Sequence, residues 1–230
     1  MKAQVLLVVV AACSAFAQGT FQNLDFEQPT LLLIPGDPYG SVQFAPAFPG
    51  WTGIVGGISQ SNALYNNLFL DSSGIAILDH GFRYAVILEG NFTAVLQAGP
   101  GLGSQPADTT LWQTGLIPVG SQSLRFIAYD DYFRGTFSVS MGGQTLALIP
   151  LSAGTNYTLY GADISAWAGK AAQLSFTAFA GPPHVTGENA LYLDSIDFSD
   201  VAIPEPSVLT LAALGTLFLT WRLRHRIRLP

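Results

Sequence analysis

Short apolar runs with a two-residue period govern what this 230-residue chain can form. Leu124, Phe126 and Ala128 alternate with Arg125, Ile127 and Tyr129. Phe137, Val139 and Met141 alternate with Ser138 and Ser140, and Leu174, Phe176 and Ala178 with Ser175 and Thr177. Successive side chains of a strand point to opposite faces, so this period belongs to strands with one face buried. The same reading predicts strands over Phe21–Phe26, Val42–Phe44, Ala63–Leu70, Ile75–Leu78, Tyr84–Glu89, Thr93–Gln97, Thr145–Ile149, Tyr157–Gly161 and Leu191–Phe198. Met141-Gly142-Gly143-Gln144 reads as a tight hairpin turn. Between the two ends no helical period persists beyond two turns, and no repeat of fixed length is visible. That excludes a propeller or solenoid and leaves an all-β sandwich as the expected fold.

Charge narrows the function classes. Only 10% of residues are charged and 49% are hydrophobic, against roughly 25% charged in an average soluble domain. Such a chain is not intrinsically disordered, which requires low hydrophobicity and high charge. All fifteen acidic residues fall between Asp25 and Glu205, where the cations are Arg83, Arg125, Arg134 and Lys170. Nucleic acid is therefore not an expected partner, because its binding rests on Lys and Arg displacing counterions from phosphates.

The two ends read as addresses. Lys2, the apolar run Ala3 to Ala12 and Ala15-Phe16-Ala17 form a secretory signal peptide over residues 1–17, cut by signal peptidase before Gln18. A buried N-terminal strand is the alternative, and Val10-Ala11-Ala12-Cys13 loosely matches a lipidation site at Cys13. After cleavage at Ala17 no cysteine remains, so disulfides, thiolate metal sites and cysteine nucleophiles are excluded. A β-sandwich domain is expected over 18–201 and a linker over 202–207. An apolar helix over 208–221 and an Arg-rich cytoplasmic tail over 222–230 follow. Fourteen apolar residues span about 21 Å as a helix, short of a bilayer core of about 30 Å. Trp221 at the interface and snorkelling arginines extend that reach, and the arginines fix the orientation by the positive-inside rule. The alternative is a buried core helix.

Pro204-Glu205-Pro206, the short apolar helix and the Arg-rich end resemble the PEP-CTERM sorting signal of exopolysaccharide-producing bacteria. The resemblance covers Ile203 to Pro230 and implies an exosortase that recognises Pro204, Glu205 and Pro206 and removes the helix. The implied route is an inner-membrane anchor first, then the cell surface or extracellular matrix.

Within the body, three patterns resemble the galactose-binding-like jelly rolls of carbohydrate-binding modules. They are Asn23-Leu24-Asp25-Phe26-Glu27, the corner Asp163-Ile164-Ser165 leading to Gly169, and Leu193-Asp194-Ser195-Ile196-Asp197-Phe198. The resemblance implies that the last strand closes the fold beside the first. It also implies one structural Ca²⁺ held by Glu27 and Asp194, with Asn23 or Asp25 nearby and backbone carbonyls completing the shell. Two carboxylates with carbonyls and water suit this hard ion. The alternative leaves both carboxylates facing solvent or capped by backbone N–H groups.

Signals of catalysis are weak. His80 and His184 show no metal-ligand spacing, and no G-x-S-x-G elbow occurs. A glycosidase pair among Asp71, Asp79, Glu89, Asp130, Asp131 and Glu188 needs a separation that sequence does not give. Asp130 and Asp131, flanked by Tyr132, Phe133 and Arg134, read either as a solvated loop or as a sugar-contacting one. Tyr65, Tyr132 and Phe133 are candidates for stacking on a ligand, whereas Trp51, Trp112 and Trp167 are expected over the end of the core. The expected role is non-catalytic: a surface or matrix protein, with polysaccharide as the candidate ligand. The alternatives are a carbohydrate-active enzyme or accessory subunit using loop carboxylates, and a purely structural matrix component.

Overall fold

Alternating side chains sort the chain into fifteen strands in the computed structural model, which describes residues 20–68, 72–83, 86–100, 106–131, 136–181 and 189–203. In chain order the first eight are Ser41–Gln43 (β1), Thr52–Val55 (β2), Ile58–Ser59 (β3), Asn62–Tyr65 (β4), Gly74–Asp79 (β5), Phe92–Pro100 (β6), Pro106–Ala107 (β7) and Thr109–Leu116 (β8). Then come Ser123–Asp131 (β9), Phe137–Met141 (β10), Gln144–Thr145 (β11), Ile149–Ala153 (β12), Thr158–Asp163 (β13), Ala171–Ala178 (β14) and Asn189–Ser199 (β15). One helical turn, Phe44–Ala47 (α1), follows β1. The signal peptide expected over 1–17, Cys13 and everything from Pro204 onward lie outside the described residues.

The strands form two sheets. The large one has the order β1-β4-β5-β6-β15-β9-β13-β12, with β7 beside β6, and the small one β11-β10-β14-β8-β2-β3. Among the described strands every pairing is antiparallel except β4 with β5. The chain is thus an all-β sandwich. Its core is built from one alternate set on each sheet: Leu124, Phe126, Leu191 and Leu193 from the large sheet meet Leu111, Val139, Leu174 and Phe176 from the small one. Phe126 and Phe176 touch edge to face across the layers, with centroids 5.2 Å apart.

The Met141–Gln144 hairpin forms as expected, with Gly142 and Gly143 at φ 58° and 80° between β10 and β11. This left-handed pair is what a two-residue hairpin demands and glycine supplies. The Asp163–Gly169 corner also forms: Asp163 Oδ1 accepts Ser165 N–H at 2.8 Å, and a 3₁₀ turn carries the chain from β13 in the large sheet to β14 in the small.

Other expectations fail for identifiable reasons. Phe21–Phe26 is a turn, not a strand, because Asn23 and Phe26 adopt left-handed φ of 47° and 54°. Its aromatics still pack: Phe21 lies 4.8 Å from Phe198 of β15, and Leu24 C=O accepts Ile196 N–H at 3.0 Å. In the stretch expected as Tyr84–Glu89, residues 86–89 form no strand. Their apolar side chains, Val86, Ile87 and Leu88, instead cover the outer face of the large sheet, over Leu64, Leu78, Val95, Ile127 and Tyr192. A short apolar run fits a cover as well as a strand, since periodicity cannot separate them. Strand β8 was missed because Thr109-Thr110-Leu111-Trp112-Gln113 buries polar Thr109 and Gln113 in place of a plain apolar alternation.

Candidate functional site

The turn at 23–28 aims Glu27 across the fold. Asn23 Oδ1 accepts Gln28 N–H at 2.9 Å, Asn23 C=O accepts the Trp51 indole N–H at 3.0 Å, and Phe26 stacks on Trp51 in the core. Glu27 then reaches the segment entering β6. Its Oε1 accepts Asn91 N–H at 2.6 Å and Phe92 N–H at 2.9 Å, and its Oε2 accepts the Asn91 amide at 2.9 Å. A Cβ at position 90 would run into the Glu27 carboxylate, and Gly90 has φ 60°, so this position requires glycine twice over. Burial works against the Glu27 charge, but these donors and the nearby His80 outweigh it and hold the carboxyl below its ordinary range. The His80 imidazole Nε2 lies 3.1 Å from Gly90 C=O.

Asp194 approaches the same turn from β15. It is 1% exposed and sits where the β15–β9 register slips between Asp194 and Asp197. Thr93 O–H donates to its Oδ2 at 2.8 Å, Ser195 N–H to its Oδ1 at 2.8 Å, and Glu89 N–H also donates to it. Ser195, at φ 47°, turns its hydroxyl to Glu89 Oε2 at 2.5 Å. Burial pushes the Asp194 carboxyl up to about 7; the three donors oppose this, and the charge of Glu27 adds to it.

Of the four expected calcium ligands, Glu27 and Asp194 therefore converge on the Glu89–Asn91 turn. Asn23 and Asp25 serve their own turn, Asp25 Oδ1 accepting Glu27 N–H at 3.3 Å. Among the described residues no group of three or more His, Cys, Asp or Glu side chains is disposed to hold a metal ion. The sequence reading placed Glu89 only among candidate catalytic carboxylates and missed Asn91 and Thr93; the signal was Glu89-Gly90-Asn91, an acid-glycine-amide turn ahead of an apolar strand.

Tyr65 is separate from this turn's hydrogen bonds. Its hydroxyl donates to Asp79 Oδ2 at 2.6 Å, and Asp79 Oδ1 accepts the Asn66 amide at 2.5 Å and Gly81 N–H at 2.7 Å. Burial raises Asp79, yet these donors and the His80 charge hold it below its ordinary range, and the bond to Asp79 raises Tyr65. Asp130 and Asp131 end β9, opposite Leu191 and Ala190, instead of lying in a loop. Their side chains, with Tyr132, Phe133, Asp71, His184 and Glu188, lie outside the described residues. Trp51 and Trp167 pack on the core as expected, but Trp112 points outward from the small sheet and is half-buried. Among the described residues no helix is long and apolar enough to cross a membrane.

No protein-family model matches the chain, and no curated protein matches it either. Among solved structures it is similar to the cleaved K2 adhesin domain of Lys-gingipain, over 76% of this chain and 96% of that one, with TM-score 0.43 and 15% identity. It is also similar to the enzymatically active domain of tailspike protein 4 of bacteriophage CBA120, over 64% of this chain and 19% of that one, with TM-score 0.35 and 14% identity.

Proposed function

We propose that this chain is an exported, non-catalytic surface or extracellular-matrix module, a jelly roll of the galactose-binding-like type that binds polysaccharide. Signal peptidase releases it at Ala17, the apolar segment 208–221 tethers it to the inner membrane, and an exosortase acting at Pro204, Glu205 and Pro206 frees it to the surface. One calcium ion braces the fold at Glu27 and Asp194.

The observation that carries this reading is the use made of the carboxylates. Glu27 and Asp79 each accept three hydrogen bonds from neighbouring segments, an arrangement that holds those segments together and leaves little freedom for proton transfer. Asp194 is the exception and the reason for the cation. A carboxylate 1% exposed beside a second carboxylate has two penalties against ionising, burial and like charge. Bound there, Ca²⁺ supplies the opposing charge that lets both groups ionise. Glu27 and Asp194 would hold it, and Thr93, Ser195 and Asn91 already orient their oxygens.

Mass spectrometry of the secreted protein tests the export route: the expected species begins at Gln18 and ends before the apolar segment. An intact chain running from Met1 to Pro230 in secreted material would overturn it. Melting with calcium and with EDTA tests the brace, and equal midpoints would remove it. Release of reducing ends from a bound polysaccharide would make the module an enzyme.

A further inference from the structure

Strand register places the outward side chains of the small sheet in rows. Thr52, Trp112, Ser175 and Ser140 stand side by side across β2, β8, β14 and β10. The next row is Ile54, Thr110, Thr177 and Ser138, and Thr114 faces Gln173 on the other side of Trp112. None of these side chains ionises, although fourteen acids lie in the same body. Each is half-buried or exposed, Trp112 included. Hydroxyls pair across strands, Thr110 with Thr177 at 2.9 Å and Ser140 with Ser175 at 3.5 Å, so their directions are set in advance. The inward partners of these strands, Leu111, Val139, Leu174 and Phe176, are fully buried, which makes the backing rigid.

Beside β2 and β3 this face meets a groove. The chain crosses between sheets twice there, through α1 and between β3 and β4, and leaves an open groove of about 490 Å³. Gln43, Gln60, Asn62, Ser59 and Ser61 line it, and Thr52 belongs to both face and groove. Again no ionisable group contributes.

We infer that the outer face of the small sheet, with the groove beside β2 and β3, is the platform on which a neutral polysaccharide lies. The inference rests on the polysaccharide-binding reading above. Charge selects the occupant: an anionic polymer needs Arg or Lys, and a cationic one needs carboxylates, and these rows and the groove have neither; Asp108, just ahead of β8, accepts Ala180 N–H with its Oδ1 at 2.9 Å. Hydroxyls and amides both donate and accept, which matches the hydroxyls of a sugar. Strands about 4.8 Å apart space them on the scale of a sugar ring. The Trp112 indole supplies the flat apolar surface on which the C–H face of a pyranose packs.

The test is an array of neutral glucans, mannans, galactans and xylans, with alginate and hyaluronate as anionic controls, probed with wild type, Trp112→Ala, Trp112→Phe and Ser175→Glu. The expected result is binding to at least one neutral glycan, weakened about tenfold or more by Trp112→Ala and by Ser175→Glu. Trp112→Phe should retain most of it, with all melting temperatures near wild type. Glycan binding that these variants leave unchanged would overturn the platform while leaving polysaccharide binding in place. Binding to the anionic glycans alone would overturn the neutral occupant. No retention of wild type anywhere on the array would overturn the polysaccharide reading itself, and this inference with it. A variant that lost binding only because it melted early would be recognised by failure of Trp112→Phe to restore either property, and that too would overturn the platform.

Discussion

The two outer faces of the sandwich are built on opposite plans. On the large sheet Leu78, Val95, Ile127 and Tyr192 point away from the main core and are buried a second time, beneath Phe82, Val86, Ile87 and Leu88. On the small sheet the equivalent positions carry Thr110, Trp112, Ser175 and Ser140, with nothing apolar laid over them by the described residues. One face is a layer of the fold, and the other is left uncovered by the described residues. The difference teaches that sheet area alone does not predict a binding face. What matters is whether the chain has used that area for its own stability.

The largest expected effect lies on the covered face. Leu78→Ala removes a fully buried side chain from beneath the 86–88 segment and should cost about 2–5 kcal/mol in a denaturant titration. A loss below about 1 kcal/mol would mean that the cover is loose. Next comes Gly90→Ala, where a methyl group meets the Glu27 carboxylate on a backbone at φ 60°. A loss of about 1–3 kcal/mol is expected, together with a weaker calcium response.

Acidity sharpens the same contrast, because the carboxylate turn meets the large sheet at Asp194 of β15. In calcium-free protein the Asp194 carboxyl titrates near 7, against 3.8 in a solvated chain. Between those values the native state keeps a proton that the unfolded chain has lost. Its contribution to stability is complete below about 3.8, shrinks as pH rises and is gone above about 7. Melting temperature in EDTA should therefore fall between pH 5 and pH 8. Asp194→Asn should flatten that fall and abolish the calcium response. Glu27 carries the opposite sign: its carboxyl is held below 4.5, so its contribution is present above that value and is lost on acidification. The smallest effect belongs to the bare face, where Trp112→Ala should change stability by about 1 kcal/mol or less.

Much of this architecture was legible in the residues. The alternation at Leu124–Tyr129, Phe137–Met141 and Leu174–Ala178 gave strands in the right places, because each has one face in the main core. Only the resemblance suggested that Glu27 and Asp194, 167 positions apart, share a region; the structure brings both to the Glu89–Asn91 turn, and nothing in local sequence predicts that β15 meets it. The covering segment at 86–88 was misread because an apolar run carries no mark of whether it pairs or lies flat. Trp112 was misplaced for a related reason. Its neighbours Leu111 and Gln113 are both buried, and a Gln turned inward to bond Gln22 C=O at 3.1 Å hides the alternation that would have put Trp112 outside.

The division between the faces is tested most directly by amide chemical shifts recorded while a neutral glycan retained on the array is titrated into the protein. The expected changes concentrate at Thr52, Thr110, Trp112, Ser140 and Ser175 and leave Val95, Ile127 and Tyr192 in place. Shifts centred instead on the covered face, or on residues flanking the carboxylate turn, would contradict the assignment of recognition to the small sheet.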